Sequence, residues 1–248
     1  LGVGNDRLDI KGNLGSTINA GSGDDKIFIK GSASQNSTIN LGEGNNELHV
    51  KGDVGIVNGG SVADTVLVEG STTNTVNLGD GNNELHIKQN SGNTVTTGSG
   101  NDKIFIEGNS ENTVTTGSGN DRVIIAGNTG NVIDLGSGND YLEIDGKVAN
   151  SLNGGEGIDS LYLKSYTKAD YDNNVDNLKW KIIDFENIKL GDGTIVKGDG
   201  SVFETPKPEN IIKAVEYKVD ISAALTDTDR SETLTVKISG VPTGATFY

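Results

Sequence analysis

The sequence repeats one glycine-rich motif at an almost constant interval. The segment "TTGSGNDKIFI" at 96–106 returns as "TTGSGNDRVII" at 115–125. The last polar position of the motif can be followed along the chain: it is filled by Asp6, Asp25, Asn46, Asp64, Asn83, Asp102, Asp121, Asp140 and Asp159, at intervals of 19, 21, 18 and then five times 19 residues. Such a fixed period is typical of a solenoid, in which each repeat forms one coil and stacks on the next.

Two short stretches of alternating apolar residues lie within each repeat. Alternate side chains of a β-strand point to opposite faces, so the apolar set of each stretch is expected to point inward. In the first strand this set is Ile27/Ile29, Leu48/Val50, Val66/Val68, Leu85/Ile87, Ile104/Ile106, Val123/Ile125, Leu142/Ile144 and Leu161/Leu163. In the second strand it is Ile18, Ile39, Val57, Val76, Val95, Val114, Ile133 and Leu152. The sequence therefore predicts an all-β fold, a parallel β-solenoid (β-roll or β-helix) with 19-residue coils and two short strands per coil.

A row of asparagines recurs in the turn opposite the glycine motif. Its members are Asn74, Asn93, Asn112, Asn131 and Asn150. Stacked Asn side chains can hydrogen-bond to turn backbone that the sheets leave unpaired. We interpret this row as structural.

The glycine motif has the composition of a calcium-binding loop. Glycine permits positive φ and leaves carbonyl oxygens unshielded, and the Asp adds a hard carboxylate oxygen. Plain Asx turns would have the same composition, but stacked carboxylates about 5 Å apart would repel one another unless cations lay between them. We therefore predict several Ca²⁺ ions stacked along one edge. The candidate ligands are Gly4, Asp6, Gly23, Asp25, Gly44, Asn46, Asp64, Gly81, Asn83, Gly100, Asp102, Gly119, Asp121, Gly138, Asp140, Gly157 and Asp159.

Composition excludes several classes of function. The net charge of −15 argues against a nucleic-acid partner, whose phosphates require a basic face. Without cysteine the chain has no disulfide or thiolate chemistry, and no apolar run approaches the length of a membrane span. No nucleophile with a base is recognisable, so we expect no enzyme activity. Because the sequence starts within a motif, "LGVGND", we expect it to be a segment of a longer protein.

The loop Gly98-Ser99-Gly100-Asn101-Asp102, followed by Ile104, resembles the RTX nonapeptide G-G-x-G-x-D-x-U-x. The resemblance covers about residues 1–200, including "IIDFENIKLGDGT" at 182–194, which is similar to the stretch that often follows RTX repeats. It implies calcium binding and type I secretion to the bacterial surface. RTX rolls usually carry the motif on both turns of a coil, whereas here one turn has it. Asn46, Asn83 and "GSVAD" at 60–64 depart from the motif.

The periodic pattern ends after Leu163, and we expect a different organisation beyond it. We assign 1–163 to the solenoid and 164–203 to a cap over its open core, with Trp180 and Phe185 as the covering side chains. Residues 204–248 would form a linker and a truncated Ig-like domain, because this stretch resembles the first strands of Ig-like repeats in large type I-secreted adhesins.

These observations favour a non-catalytic, calcium-rigidified module of a Gram-negative RTX adhesin at the cell surface, with a role in cell adhesion and biofilms. It would contact a cell-surface or polysaccharide ligand, or display neighbouring Ig-like domains. One alternative is a carbohydrate-binding accessory module of a secreted enzyme such as an alginate epimerase.

The other alternative is an ice-binding solenoid, because the 19-residue coil with one motif turn is similar to the ice-binding region of a giant marine RTX adhesin. That relative carries Thr between the loop glycines, whereas this chain has Val3, Ser22, Glu43, Asp80, Ser99, Ser118, Ser137 and Glu156. The second strand does present Thr outward at 17, 38, 75, 94, 96, 113 and 115. The loss of the loop Thr row leads us to expect no measurable ice activity.

One outward row of the first strand carries large side chains. It consists of Asp9, Phe28, His49, Leu67, His86, Phe105, Ile124, Glu143 and Tyr162. Such a row is explained either by packing between ladder neighbours within the sheet or by contact with a partner. Both interpretations are open at the level of sequence.

Overall fold

The computed structural model describes residues 1–91, 94–110, 113–130, 132–148 and 150–198. The strands of the first half are β1 Gly2–Val3, β2 Arg7–Ile10, β3 Ile18–Asn19, β4 Gly21–Ser22, β5 Lys26–Ile29, β6 Thr38–Asn40, β7 Glu47–Val50, β8 Ile56–Gly60, β9 Thr65–Val68, β10 Thr75–Gly79 and β11 Glu84–Ile87. They are followed by β12 Thr94–Ser99, β13 Lys103–Ile106, β14 Thr113–Ser118, β15 Arg122–Ile125, β16 Val132–Asp134, β17 Tyr141–Ile144, β18 Ser151–Asn153 and β19 Ser160–Leu163. The last elements are α1 Lys168–Asp172, a 3-10 turn Val175–Asn177, α2 Leu178–Lys181, β20 Ile182–Ile183, β21 Asn187–Leu190 and β22 Ile195–Lys197.

Most of these strands form two long, mainly parallel sheets, and β1 pairs separately with β4. One sheet has the order β2-β5-β7-β9-β11-β13-β15-β17-β19-β21-β22, and the other runs β20-β18-β16-β14-β12-β10-β8-β6-β3. Equivalent residues of successive coils pair, as Leu85 does with Ile104 and Val76 with Val95. The chain is thus an all-β parallel β-solenoid, as the repeat predicts.

The core between the sheets is thin and aliphatic. Each predicted inward residue from Ile18 to Leu163 is buried. Some buried positions are polar. The Thr97 hydroxyl, for example, donates to the Thr116 carbonyl at 3.1 Å, and the Thr116 hydroxyl donates to the Leu135 carbonyl at 2.7 Å. Threonine is tolerated here because its hydroxyl finds a carbonyl of the next coil.

The end of the solenoid is covered by the segment from Tyr166 to Phe185. Tyr166, Tyr171, Leu178 and Phe185 are buried, and Phe185 is only 2% exposed. The prediction that Trp180 covers the core is wrong, because its side chain is 81% exposed. Leu178 is the inward residue of the short helix α2, and a residue two positions later lies about 200° around the helix axis.

The chain re-enters both sheets after this cap. Strand β20 pairs in parallel with β18, and β21 pairs in parallel with β19, with Leu161 opposite Ile188 and Leu163 opposite Leu190. Strand β22 then pairs antiparallel with β21. The parallel stacking therefore continues beyond Leu163.

The turn opposite the glycine loops is held by side-chain acceptors. The side-chain oxygens of Asn90, Asn109 and Asn128 each accept the backbone N–H of the equivalent residue in the next coil, at 2.7–3.0 Å. This is a different asparagine row from the one that we predicted. Of the predicted row, Asn93, Asn112 and Asn131 lie outside the described residues.

Within the described ranges, no helix is long and apolar enough to cross a membrane. The truncated Ig-like domain expected at 204–248 lies outside those ranges. It stays a prediction.

Candidate functional site: the glycine-loop edge

The glycine loops stack on one another along one edge of the solenoid. In eight loops both motif glycines have positive φ; Gly117 and Gly119, for example, have φ of 101° and 129°. A Cβ on Gly117 would lie 1.9 Å from the Gly98 carbonyl oxygen, and one on Gly119 would lie 1.9 Å from that of Gly100. Both the backbone conformation and the close approach of the preceding coil therefore require glycine.

The predicted Asp and Asn ligands form one continuous ladder at this edge. The Oδ1 atom of each residue from Asp25 to Asp159 accepts the backbone N–H of the equivalent residue in the preceding coil, at 2.7–3.1 Å. All of these residues are buried, whereas Asp6 in the first coil is half-buried. The backbone N–H groups of the ladder residues lie in the loops and not in the sheets, and the ladder oxygens satisfy them.

The second carboxylate oxygen of five ladder residues is buried without a hydrogen-bond partner among the described residues. These atoms are Oδ2 of Asp25, Asp102, Asp121, Asp140 and Asp159. Loss of hydration on burial raises the pKa of Asp102 to about 6 and that of Asp140 to about 7, and it also raises the pKa of Asp121 and Asp159. Buried, unpaired carboxylate oxygens are unfavourable unless a cation lies beside them.

The residues of these loops fit Ca²⁺. Among the described residues no three His, Asp or Glu side chains converge on one point. A cation here would therefore be bound by no more than two of these side chains and would take its other oxygens from loop carbonyls. Ca²⁺ accepts six to eight oxygens of this mixed kind.

Asn46 and Asn83 show where the loop carbonyls converge. The Asn46 Nδ2 atom donates to the carbonyls of Gly44 at 2.9 Å and Gly42 at 3.4 Å. The Asn83 Nδ2 atom donates to the carbonyls of Gly79 and Gly81, each at 3.1 Å. Both motif glycines of a loop therefore direct their carbonyl oxygens towards the side chain of the ladder residue.

Glu186 extends the ladder, and the sequence analysis missed it. Its Oε2 atom accepts the Asp159 N–H at 2.6 Å, and β21 follows it in register with β19. A signal existed, because "ENIKL" at 186–190 has the same alternation as "DSLYL" at 159–163 in the preceding coil. Glu186 was missed because it follows Asp159 by 27 residues and therefore does not fit the 19-residue period.

A second polar row lies on the outer side of the same loops. Asn101, Asn120 and Asn139 are exposed, and the side-chain carbonyl of each accepts the backbone N–H of the next coil at 2.6–2.8 Å. Beside them, Ser99, Ser118 and Ser137 pair in register across the coils. The edge thus carries two parallel rows of polar side chains at a constant spacing.

The large outward residues of the first strand are half-buried by their ladder neighbours. The rings of Phe28 and His49 meet edge to face with centroids 6.0 Å apart, and those of His86 and Phe105 do so at 6.1 Å. The Arg7 guanidinium lies 4.6 Å from the Phe28 ring centroid. These contacts favour packing within the sheet over contact with a partner.

The comparisons with known proteins point to one class. A family model described as "Bacterial antifreeze protein repeat" matches residues 151–203. The crystal structure of a hyperactive, Ca²⁺-dependent, β-helical antifreeze protein from an Antarctic bacterium is similar to this chain with a TM-score of 0.70 and 36% sequence identity, and the match covers 79% of this chain and 70% of that one. No curated protein sequence matches significantly.

Proposed function

The chain belongs to the family of bacterial β-helical antifreeze proteins, and we propose that it is a calcium-rigidified solenoid that binds ice. The observation that carries this proposal is the 36% identity to the Ca²⁺-dependent antifreeze protein over 79% of this chain. It moves the ice-binding alternative ahead of the RTX adhesin module that the sequence favoured. An adhesin as parent protein stays a prediction.

We place the ice-binding surface on the outer side of the glycine loops, at the Ser99/Asn101, Ser118/Asn120 and Ser137/Asn139 pairs. These pairs repeat without interruption in three successive coils, and parallel strands place the repeats about 4.8 Å apart. The hydrogen bonds that the Asn carbonyls accept fix these side chains. A rigid, regular polar array can hold surface water in a repeated arrangement.

The other two faces are less regular. On the second strand, Thr94/Thr96 pairs with Thr113/Thr115, but Val132 and Asp134 interrupt the threonine rows in the next coil. The first strand presents a mixture of rings, aliphatic side chains and charged side chains. Thr75 precedes Thr94 and Thr113 in register, but its companion is Asn77 where the next two coils have Thr96 and Thr115. Neither face therefore repeats the same pair of outward side chains in three successive coils.

Calcium would hold the loop edge in shape. Asp25, Asp102, Asp121, Asp140 and Asp159 are the residues whose buried, unpartnered oxygen can bind it, together with carbonyls of the motif glycines. The ion would neutralise the stacked carboxylates and fix the distance between coils. We propose an extracellular location, where calcium-binding modules work at about 10⁻⁴ to 10⁻³ M Ca²⁺.

Thermal hysteresis of the purified chain in millimolar Ca²⁺ tests the proposal. We expect activity that Ser118→Tyr abolishes, because one bulky ring interrupts the array in its central coil. Thr113→Tyr on the second-strand face and Lys103→Tyr on the first-strand face are matched controls and should retain most of the activity. Replacing Ser99, Ser118 and Ser137 together by Thr should increase hysteresis, because threonine keeps the hydroxyl and adds a methyl group.

Two outcomes would contradict parts of the proposal. If Thr113→Tyr abolishes hysteresis and Ser118→Tyr does not, the ice-binding face is the second strand. If the folded, calcium-loaded chain shows no hysteresis and does not inhibit ice recrystallisation, ice binding is wrong, and the adhesin and carbohydrate-binding interpretations become the ones to test.

A further inference from the structure

Asn and Asp side chains have the same shape and differ in one atom, an NH₂ group in place of an oxygen. Loops with Asn and loops with Asp at the ladder position can therefore be compared directly. In the loops of Asn46 and Asn83, the branch that does not join the ladder ends in an NH₂ group that donates to the loop carbonyls. In the loops of Asp102 and Asp121 the corresponding atom is an oxygen, which is buried and has no hydrogen-bond partner among the described residues. An oxygen facing carbonyl oxygens needs a cation between them, whereas an amide does not.

The loop between the two Asn residues is also complete without a cation. The Asp64 Oδ1 atom accepts the backbone N–H of Asn46 at 3.1 Å and its side-chain amide at 2.9 Å, and Oδ2 accepts the Gly60 N–H at 3.3 Å. This loop has Val62 in place of the second glycine, and Gly60 does not have positive φ. Its carboxylate therefore lacks the unpartnered oxygen that Asp102 and Asp121 have.

We propose that the side-chain amides of Asn46 and Asn83 are built-in substitutes for calcium, so that the ion row is interrupted over the three loops from Gly42 to Asn83. After the first coil, whose Asp6 is only half-buried, the cations are then confined to the loop of Asp25 and to the four loops from Gly98 to Asp159. The solenoid consists of a calcium-independent middle segment between calcium-dependent flanks. This inference concerns the position of the ions and does not depend on what the surface binds.

Counting bound ions tests the proposal directly. Calcium bound to the full-length chain is measured by native mass spectrometry and by calorimetric titration. Asn83→Asp should bind one Ca²⁺ more than the wild type, because it restores an unpartnered oxygen beside the Gly79 and Gly81 carbonyls. Asp121→Asn should bind one fewer.

Thermal melts without calcium show whether an amide replaces the ion or whether the variant has only lost a calcium ligand. Asp121→Asn should melt at a higher temperature than the wild type in excess EGTA, because the new amide satisfies the loop carbonyls. Asp121→Ala, which also loses one ion, should melt at a lower temperature. Asn83→Ala should lower the melting temperature equally with and without calcium and leave the ion count unchanged.

The proposal is overturned if Asn83→Ala removes an ion, or if folded Asn83→Asp binds the wild-type number. Should Asn83→Asp fail to fold, the melts of Asp121→Asn and Asp121→Ala decide: equal destabilisation of both in EGTA contradicts the proposal. Absence of thermal hysteresis would leave it unaffected.

Discussion

At the scale of single residues, the charge state of the ladder carboxylates decides whether a loop is stable. Asp102, Asp121, Asp140 and Asp159 have raised pKa values because burial removes the hydration of the charged form. On the proposal that these loops bind calcium, a proton and a calcium ion are alternative ways to neutralise the same oxygen. The two would compete, so the stability should depend on pH with opposite signs in the presence and in the absence of calcium.

The first prediction concerns calcium-stripped protein. In the folded state the pKa of Asp102 is about 6 and that of Asp140 is about 7, both above the ordinary value of 3.8. Between the ordinary pKa and the raised pKa of each group, the folded state therefore binds more protons than the unfolded state. Stability is then gained as the pH falls from about 7 to about 4. We expect circular dichroism to show β-structure increasing from pH 7.5 to pH 5 after treatment with a chelating resin.

With saturating calcium the sign reverses, because protons displace the ion and the melting temperature should fall over the same range. The triple variant Asp102→Asn, Asp121→Asn, Asp140→Asn is the control and should have a much flatter profile without calcium. The same direction of change with and without calcium would show that these carboxylates do not bind the ion.

At the scale of elements, the sequence predicted what is periodic and missed what interrupts the period. The strands from β2 to β19 follow from the alternation of residues such as Ile104 and Ile106, since one residue of slip would expose the core set. Strand β21 has the same alternation in Ile188 and Leu190. The cap inserted before it breaks the constant repeat interval, so its pairing with β19 could not be predicted from the period. The exposure of Trp180 depends on the rotation of a single helical turn, which composition does not encode.

The second prediction, at this scale, concerns the large outward residues of the first strand. Because Phe28 and Phe105 pack edge to face on histidines of neighbouring strands, Phe28→Ser with Phe105→Ser should lower the free energy of unfolding by about 1–2 kcal/mol. The assembly state by light scattering should not change. Lys26→Ser with Lys103→Ser, on the same two strands, is the control and should have little effect. Dissociation of an oligomer in the Phe variant would instead support a partner surface.

At the scale of the whole molecule, stability depends on how well successive coils stack. Each coil contacts only its neighbours, so the stability of a solenoid is the sum of many similar interfaces. The net charge of −15 opposes stacking, and a row of unneutralised carboxylates concentrates that opposition on one edge. Cations bound between the coils, as we propose, would turn this edge from a repulsive surface into a cohesive one.

The third prediction is that folding is linked to calcium. The ligand oxygens converge only in the coiled state, so the free energy of binding adds to that of folding, by about 2.7 kcal/mol for each site at a free concentration 100 times its Kd. At pH 7.5, excess EGTA should reduce the β-signal in circular dichroism and lower the melting temperature. Millimolar Ca²⁺ should restore both, whereas Mg²⁺ should not, because it requires octahedral geometry and retains its water. Asp102→Ala should weaken the calcium response, while Asn83→Ala should leave it intact. An unchanged spectrum and melting temperature in EGTA would show that the loops are stable as plain turns.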